Sequence, residues 1–379
     1  MITNTGPMDN NTAYRIAFSR IKGINPSVAA RILEHIGTEK EFFTLPAREI
    51  GTCLPQLPPA LIADSYRRGL LDTAREEQEF MEKSHIRALY FTDDGYPARL
   101  AECEDAPLLL YTLGDTGLNA ARMVSIVGTR RSTPYGMAFV ENLVAELAEK
   151  LGPGTVIVSG LAYGIDVTAH RAALKAGLPT VAVLAHGLNT LYPAAHRSVA
   201  ADMLRAGGML LTEYASKDPL HKGNFIARNR IVAGVADCVV VAESARRGGA
   251  LATASLAMSY SRDVMALPGR ISDTYSQGCN DLIARNQAAL ITCADELIAA
   301  MGWQPIAARA DAETQPALSL LTPDEERIVD YLHEQGEGSL NKMCVDLSIP
   351  VAQLTGLLMS LEFGGHIITY PGAKYRPAR

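Results

Sequence analysis

A chain of 379 residues exceeds one ordinary domain, and its 48% apolar and 20% charged residues fit a globular protein of two or three domains. The formal net charge of −6 excludes a generally basic coat for nucleic acid, so any anion binding must come from a local patch. The six cysteines are scattered without a CxxC pair, which predicts reduced thiols and excludes a disulfide framework or a zinc ribbon.

The opening stretch "MITNTGPMDNNTAYR" lacks the basic-then-apolar layout of a signal peptide. No apolar run approaches the roughly 20 residues that span a bilayer, so a cytoplasmic protein without membrane attachment is expected. Residues 10–80 read as a helical domain. Within it, "IKGINPSVAARILEHIG" places Ile21, Ile24, Val28, Ile32 and Ile36 at helical spacing about a Gly23 turn. The pattern resembles a helix-hairpin-helix, whose turn can offer N–H groups to a phosphate. A plain helical bundle is the favoured reading, because Asn25 stands where such hairpins carry a second glycine.

Residues 85–302 alternate strand-like and helix-like segments. The expected strands are "MVSIV" (123–127), "TVIV" (155–158), "TVAVL" (180–184), "MLL" (209–211), "CVVVA" (238–242), "VMALP" (264–268) and "ALIT" (289–292). They are short and apolar throughout, as strands covered on both faces should be. Between them, Phe139, Leu143, Leu147 and Leu151 recur every four residues and predict one buried helical stripe. This alternation implies an α/β fold with a doubly wound, mostly parallel sheet. A linker is expected over 303–321, rich in Ala, Pro and charge. The last region, 322–376, opens on Thr322, Pro323 and Glu325, the signature of a capped helix. Three helices and a hairpin at "GGHIITYPGAKYR" match a winged helix. Its candidate recognition helix, "PVAQLTGLLMSLEF", has no Arg or Lys, which favours a protein-contact role over groove reading.

In an open α/β sheet, ligands bind beyond the carboxyl ends of the strands. Four glycine-bearing loops fall there. "SIVGTRRSTPYG" offers Gly128, for close backbone approach, and Arg130. "SGLAYGIDVTAH" offers Ser159 and Gly160, with Asp166 read as a helix N-cap. "AHGLNTLYP" is the third, and "ESARRGGALATA" adds Arg246 and Arg247. Tight helix–sheet packing explains such glycines equally well in the second and third loops, and Arg131 and Arg247 could be solvated surface charges. The segment 217–230 carries Lys217, Lys222, Arg228 and Arg230 against Asp218 alone, a local +3. On a helix starting near Gly223, Phe225 and Asn229 share a face. A cation beside an exposed ring suits an unpaired polynucleotide whose bases stack, while ordinary core remains the alternative for Phe225. Walker A, GxGxxG and GxSxG patterns are absent, so no catalytic machinery, cofactor or metal is expected. Asp166 and His170 lack a third ligand.

The runs "IVGTRRSTPYG", "IVSGLAYGIDVTAHRAAL", "VAVLAHGLNTLYPAAH", "FIARNRIVAGVAD", "ALATASLA" and "ALPGRISDTYSQGCNDLI" are similar to those of the bacterial DNA-processing protein family DprA, also called Smf. The resemblance implies an extended Rossmann domain between a SAM-like helical domain and a winged helix. It also implies a non-enzymatic homodimer that binds and shields incoming single-stranded DNA and helps load the RecA recombinase in natural transformation. Carried over by motif, the family's DNA-contacting residues fall on Arg130, Lys222 and Phe225, followed by Arg228, Asn229 and Arg230. Tyr163, Asn189 and Gly248-Gly249-Ala250 depart from the family's usual Arg, Asp and Ser-Gly-Ser. The competing expectation is a phosphoribohydrolase-like enzyme, to whose signature "RRGGALATASLA" bears some likeness. That chemistry needs a carboxylate soon after the glycine pair, where Leu256, Ala257 and Met258 stand.

Overall fold

Strands that are apolar on both faces need cover on both sides, and that requirement organises this protein. The computed structural model describes residues 11–306, 321–364, 366–370 and 374–378. The chain divides into two units, one ending at Ile306 and one beginning at Ala307.

The first unit is built on nine strands: β1 Arg87–Tyr90, β2 Leu109–Gly114, β3 Arg122–Val127, β4 Thr155–Ser159, β5 Thr180–Val183, β6 Met209–Thr212, β7 Cys238–Val241, β8 Asp263–Ala266 and β9 Ala289–Leu290. Their order is β1-β2-β6-β5-β4-β3-β7-β8-β9. The seven from β6 to β9 run parallel, and β1 and β2 extend the β6 edge antiparallel. Both antiparallel strands escaped the sequence reading. β1 is exposed or half-buried over residues 87–89 and offers no apolar run, and "LLLYTLG", though largely buried, stands outside the strand–helix alternation.

Alternate residues feed two cores. Met123, Val127, Val156, Val158, Val239 and Val241 face one layer of helices, and Val124, Ile126, Ile157, Cys238 and Val240 face the other. The stripe Phe139, Leu143, Leu147 and Leu151 lies in the second core, on the helix Pro134–Leu151. Parallel crossovers pass in opposite directions from the adjacent central strands β3 and β7, so the topological switch lies between them.

The amino-terminal helices share a core with the β1–β2 edge: Phe18, Ile32, Phe42 and Met81 pack with Tyr90, Leu109 and Tyr111. The hairpin turn is present, with Gly23 at φ +77°. Asn25 caps the helix Pro26–Ile36 by accepting from Val28 N–H, which gives this position a helix-starting role in place of a second glycine.

In the second unit, helices Pro323–Gln335, Leu340–Leu347 and Val351–Phe363 enclose Ile328, Leu332, Met343, Leu354 and Leu358. Thr322 and Glu325 form the reciprocal capping box. Strands Gly338–Ser339, Ile367–Tyr370 and Lys374–Pro377 form a small antiparallel sheet. Most of the expected linker, residues 307–320, lies outside the described residues. Among the described residues no single helix is long and apolar enough to cross a membrane.

Candidate nucleic-acid interface

The loops after β3, β4 and β7 converge at the switch point. They enclose a cleft of about 450 Å³ lined by Gly128, Thr129, Arg130, Arg131, Ala162 and Asp166 on one side. Arg247, Gly248 and Gly249 close it, together with Phe225, Asn229 and Tyr275. Phe225 and Asn229 come from the helix Lys222–Gly234, whose inner residues Ile231 and Val232 are buried, as is Val235 just beyond its end.

Arg130 is exposed, and its guanidinium carbon lies 5.4 Å from the centroid of the Phe225 ring, within cation–π range. Lys222 is exposed one turn before Phe225, and residues three apart on a helix are neighbours. Lys222, Arg130, Arg131 and Arg247 have no carboxylate partner among the described residues, whereas Arg246 pairs with Asp281 at 3.5 Å.

The local +3 read from 217–230 dissolves in three dimensions. Lys217 pairs with Glu76 at 2.7 Å. Arg230 pairs with Glu213 at 2.6 Å and lies 3.8 Å from Asp105, which corrects its assignment as a DNA contact. Arg228 is a second correction. It is only 4% exposed, and its Nη1 donates to the carbonyls of Gly160, at 2.8 Å, and Val183. Burial lowers its pKa, opposed by the nearby Asp166.

Asp166 is no N-cap. Gly164 holds that position, and the Asp166 carboxylate, in the first turn, accepts from Ala162 N–H at 3.4 Å. Burial raises its pKa, while Arg228 and Arg130 pull it down.

The loop glycines serve packing. A Cβ at Gly160 would collide with the Arg228 guanidinium, and one at Gly128 would meet the Ile165 side chain and Glu243 carbonyl. Gly128 thus packs tightly against its own fold while still lining the cleft. Ser159 is fully buried and donates to Ile126 O at 2.6 Å, so it too is withdrawn from the contact set. Backbone donors of the first loop are likewise engaged: Thr129 N–H reaches Glu243 O, and Thr133 N–H reaches the Glu243 carboxylate, both at 2.8 Å.

Sequence reasoning missed Glu243, a buried carboxylate that also accepts from the Thr133 hydroxyl at 2.5 Å. An acid directly after a buried strand was the available signal. It also missed Tyr192, whose ring packs edge-on against Phe225 at 5.7 Å. A larger cleft, about 710 Å³, lies between the Gly23 turn and the start of the Lys222–Gly234 helix. Its arginines Arg20 and Arg230 are neutralised by Asp218 and Glu213, and Lys22 also lines it.

An open, mostly parallel α/β sheet with exposed arginines and an aromatic ring gathered at its switch point belongs to the doubly wound class. The model of the DNA recombination-mediator protein A family matches residues 87–302, and the chain belongs to that family. The DNA processing protein DprA of Streptococcus pneumoniae is 36% identical over 289 residues, covering 76% of this chain and 98% of its own. An X-ray structure of DprA from that organism superposes with a TM-score of 0.64 at 34% identity, over 76% of this chain and 97% of its own. The DNA processing protein A of Helicobacter pylori matches with a TM-score of 0.51 at 32% identity, over 57% of this chain and 95% of its own. That structure was described for its single-stranded DNA binding mode.

Proposed function

We propose that this protein binds single-stranded DNA without sequence preference along the carboxyl edge of its sheet and acts as a recombination mediator. Phosphates lie on Arg130, Arg131 and Lys222, and a base stacks on Phe225 with Asn229 beside it. The observation that carries the reading is the Arg130–Phe225 pair, a guanidinium held against an aromatic ring beside a lysine that has no carboxylate partner among the described residues. A cation and a π-face at one spot match the two chemistries that every nucleotide of a single strand repeats.

The acids near the crevice support binding over hydrolysis. Glu243 is committed to Thr133 and Asp166 to Ala162 and the Arg228 field, leaving neither poised as a general base. The Helicobacter relative's described binding mode supports the same substrate class. Delivery of the strand to RecA, protection of incoming DNA during transformation, and a homodimer complete the proposal by family resemblance. The carboxyl-terminal unit, three helices with a small antiparallel sheet, is read as winged-helix-like and as a protein-contact module.

The test is the double charge reversal Arg130→Glu with Lys222→Glu. Both side chains are exposed, so the melting temperature should be unchanged while the gel shift of a single-stranded oligonucleotide disappears. Parental binding by that variant would overturn the site.

A further inference from the structure

We propose that the strand runs on from Phe225 to a second aromatic platform, Tyr192 and Tyr163, which stacks further bases. This rests on the single-stranded DNA reading above. Both phenols are 47% exposed, and they stand on separate loops, after β5 and β4. Scattered surface aromatics need no explanation, but these two close a circuit around Arg130. Tyr192 meets Phe225 edge-on at 5.7 Å. Four residues further, His196 meets the Tyr163 ring at 4.8 Å, again edge-on. Gly164, next to Tyr163, sits so close under Thr129 and Arg130 that a Cβ there would strike their backbone, and Ile165 N–H donates to Thr129 O at 3.2 Å.

Each ring is about half exposed and meets one neighbouring ring edge-on. His196 is buried, with Nδ1 2.8 Å from Leu161 O, so Tyr163 leans on an immobile support. The backbone N–H of Tyr192 donates to His186 Nε2 at 3.1 Å, which leaves His186 Nδ1–H for Gly187 O at 2.9 Å. These contacts anchor the backbone that carries Tyr192 and the neighbour of Tyr163, and a position fixed before binding reduces the ordering cost of stacking. Cations alternate with the rings along the edge. Lys222 precedes Phe225, Arg130 touches it, and Arg197 follows His196, exposed and without a carboxylate partner among the described residues. Alternating charge and π-face is the pattern that tracks a single strand.

The test is fluorescence anisotropy of the full chain with a thymidine dodecamer and with an abasic dodecamer of equal phosphate count. Tyr192→Ala and Tyr163→Ala should each weaken the thymidine strand about tenfold, within the range for removing a stacking ring. They should leave abasic binding and the salt slope unchanged, and Tyr192→Phe should retain parental affinity. Melting curves establish that each variant is folded, and Tyr163→Ala keeps the test open if Tyr192→Ala is not. Parental affinity of the double alanine variant for the thymidine strand would overturn the platform, as would an equal loss on the abasic strand. Failure of the parent chain itself to bind either oligonucleotide would refute the underlying function, a separate and distinguishable result. Loss in Phe225→Ala but not in the tyrosine variants would leave that function standing and remove only the extension.

Discussion

Arg228 looks, in the sequence, like one of four cations awaiting a phosphate. In the fold it crosses beneath the second loop and ties the helix Lys222–Gly234 to the carbonyls of Gly160 and Val183. It also supplies the largest attraction opposing Asp166's desolvation. Arg228→Met should therefore cost stability directly, about 3–5 kcal/mol, because it leaves a buried carboxylate without its cation and two carbonyls without a donor. Urea denaturation reads that loss. Weakened DNA binding with an unchanged urea midpoint would instead mean that Arg228 reaches the ligand. Lys222, exposed and without a carboxylate partner among the described residues, makes the opposite case, since its charge is left for solvent or for a ligand.

At the scale of elements, the helix Ile165–Lys175 is fastened to the sheet through His170. The Thr180 hydroxyl donates to Ile157 O at 2.8 Å, so at 2.7 Å it accepts from His170 Nδ1–H. That tautomer leaves Nε2 as a buried lone pair without a partner. Burial, with Arg228 adding to it, lowers the His170 pKa to about 3. Between an ordinary value of 6.5 and about 3, the unfolded chain takes up a proton that the folded chain refuses. Stability is therefore lost as pH falls through that window, by up to about 1.4 kcal/mol per pH unit from this group. His170→Phe should flatten the decline, and unfolding free energies measured from pH 6.5 to 4 in both chains check it. Asp166, whose pKa is raised, acts in the opposite sense but is common to both chains. Equal slopes would show that His170 titrates normally.

Across the whole molecule, a net charge of −6 repels a polyanion except where acids are absent or already engaged. The switch-point edge meets that condition with Arg130, Arg131, Lys222 and Arg247. Each phosphate neutralised on a single strand contributes a slope of about −0.7 in log affinity against log salt. Three to four contacts predict a total of about −2 to −3, and Arg130→Gln should reduce the magnitude by about 0.7. Titrations across a potassium chloride series measure both. A slope near zero would mean that this edge holds no phosphates.

Much of the fold was legible from local pattern. Seven short apolar runs that form the parallel strands, the Phe139-to-Leu151 stripe and the Thr322 capping box each depend on residue type, spacing or neighbours a few positions apart. Burial on one face imposes a period, and a period is visible in a linear string. The antiparallel strand β1 was not legible, because residues 87–89 are exposed or only partly covered and leave no apolar run, and β2 pairs antiparallel outside the strand–helix alternation that marked the parallel strands. The presence of arginines and an aromatic near strand ends was equally plain in the sequence. Which of them remain available was not. Lys217 and Arg230 are neutralised by Glu76 and Glu213 and Arg228 is committed to the carbonyls of Gly160 and Val183, while Arg130 and Phe225, 95 positions apart by their numbers, are brought into contact. Charge is written into the chain residue by residue, but compensation is a matter of a few ångströms, and only the tertiary structure sets those distances.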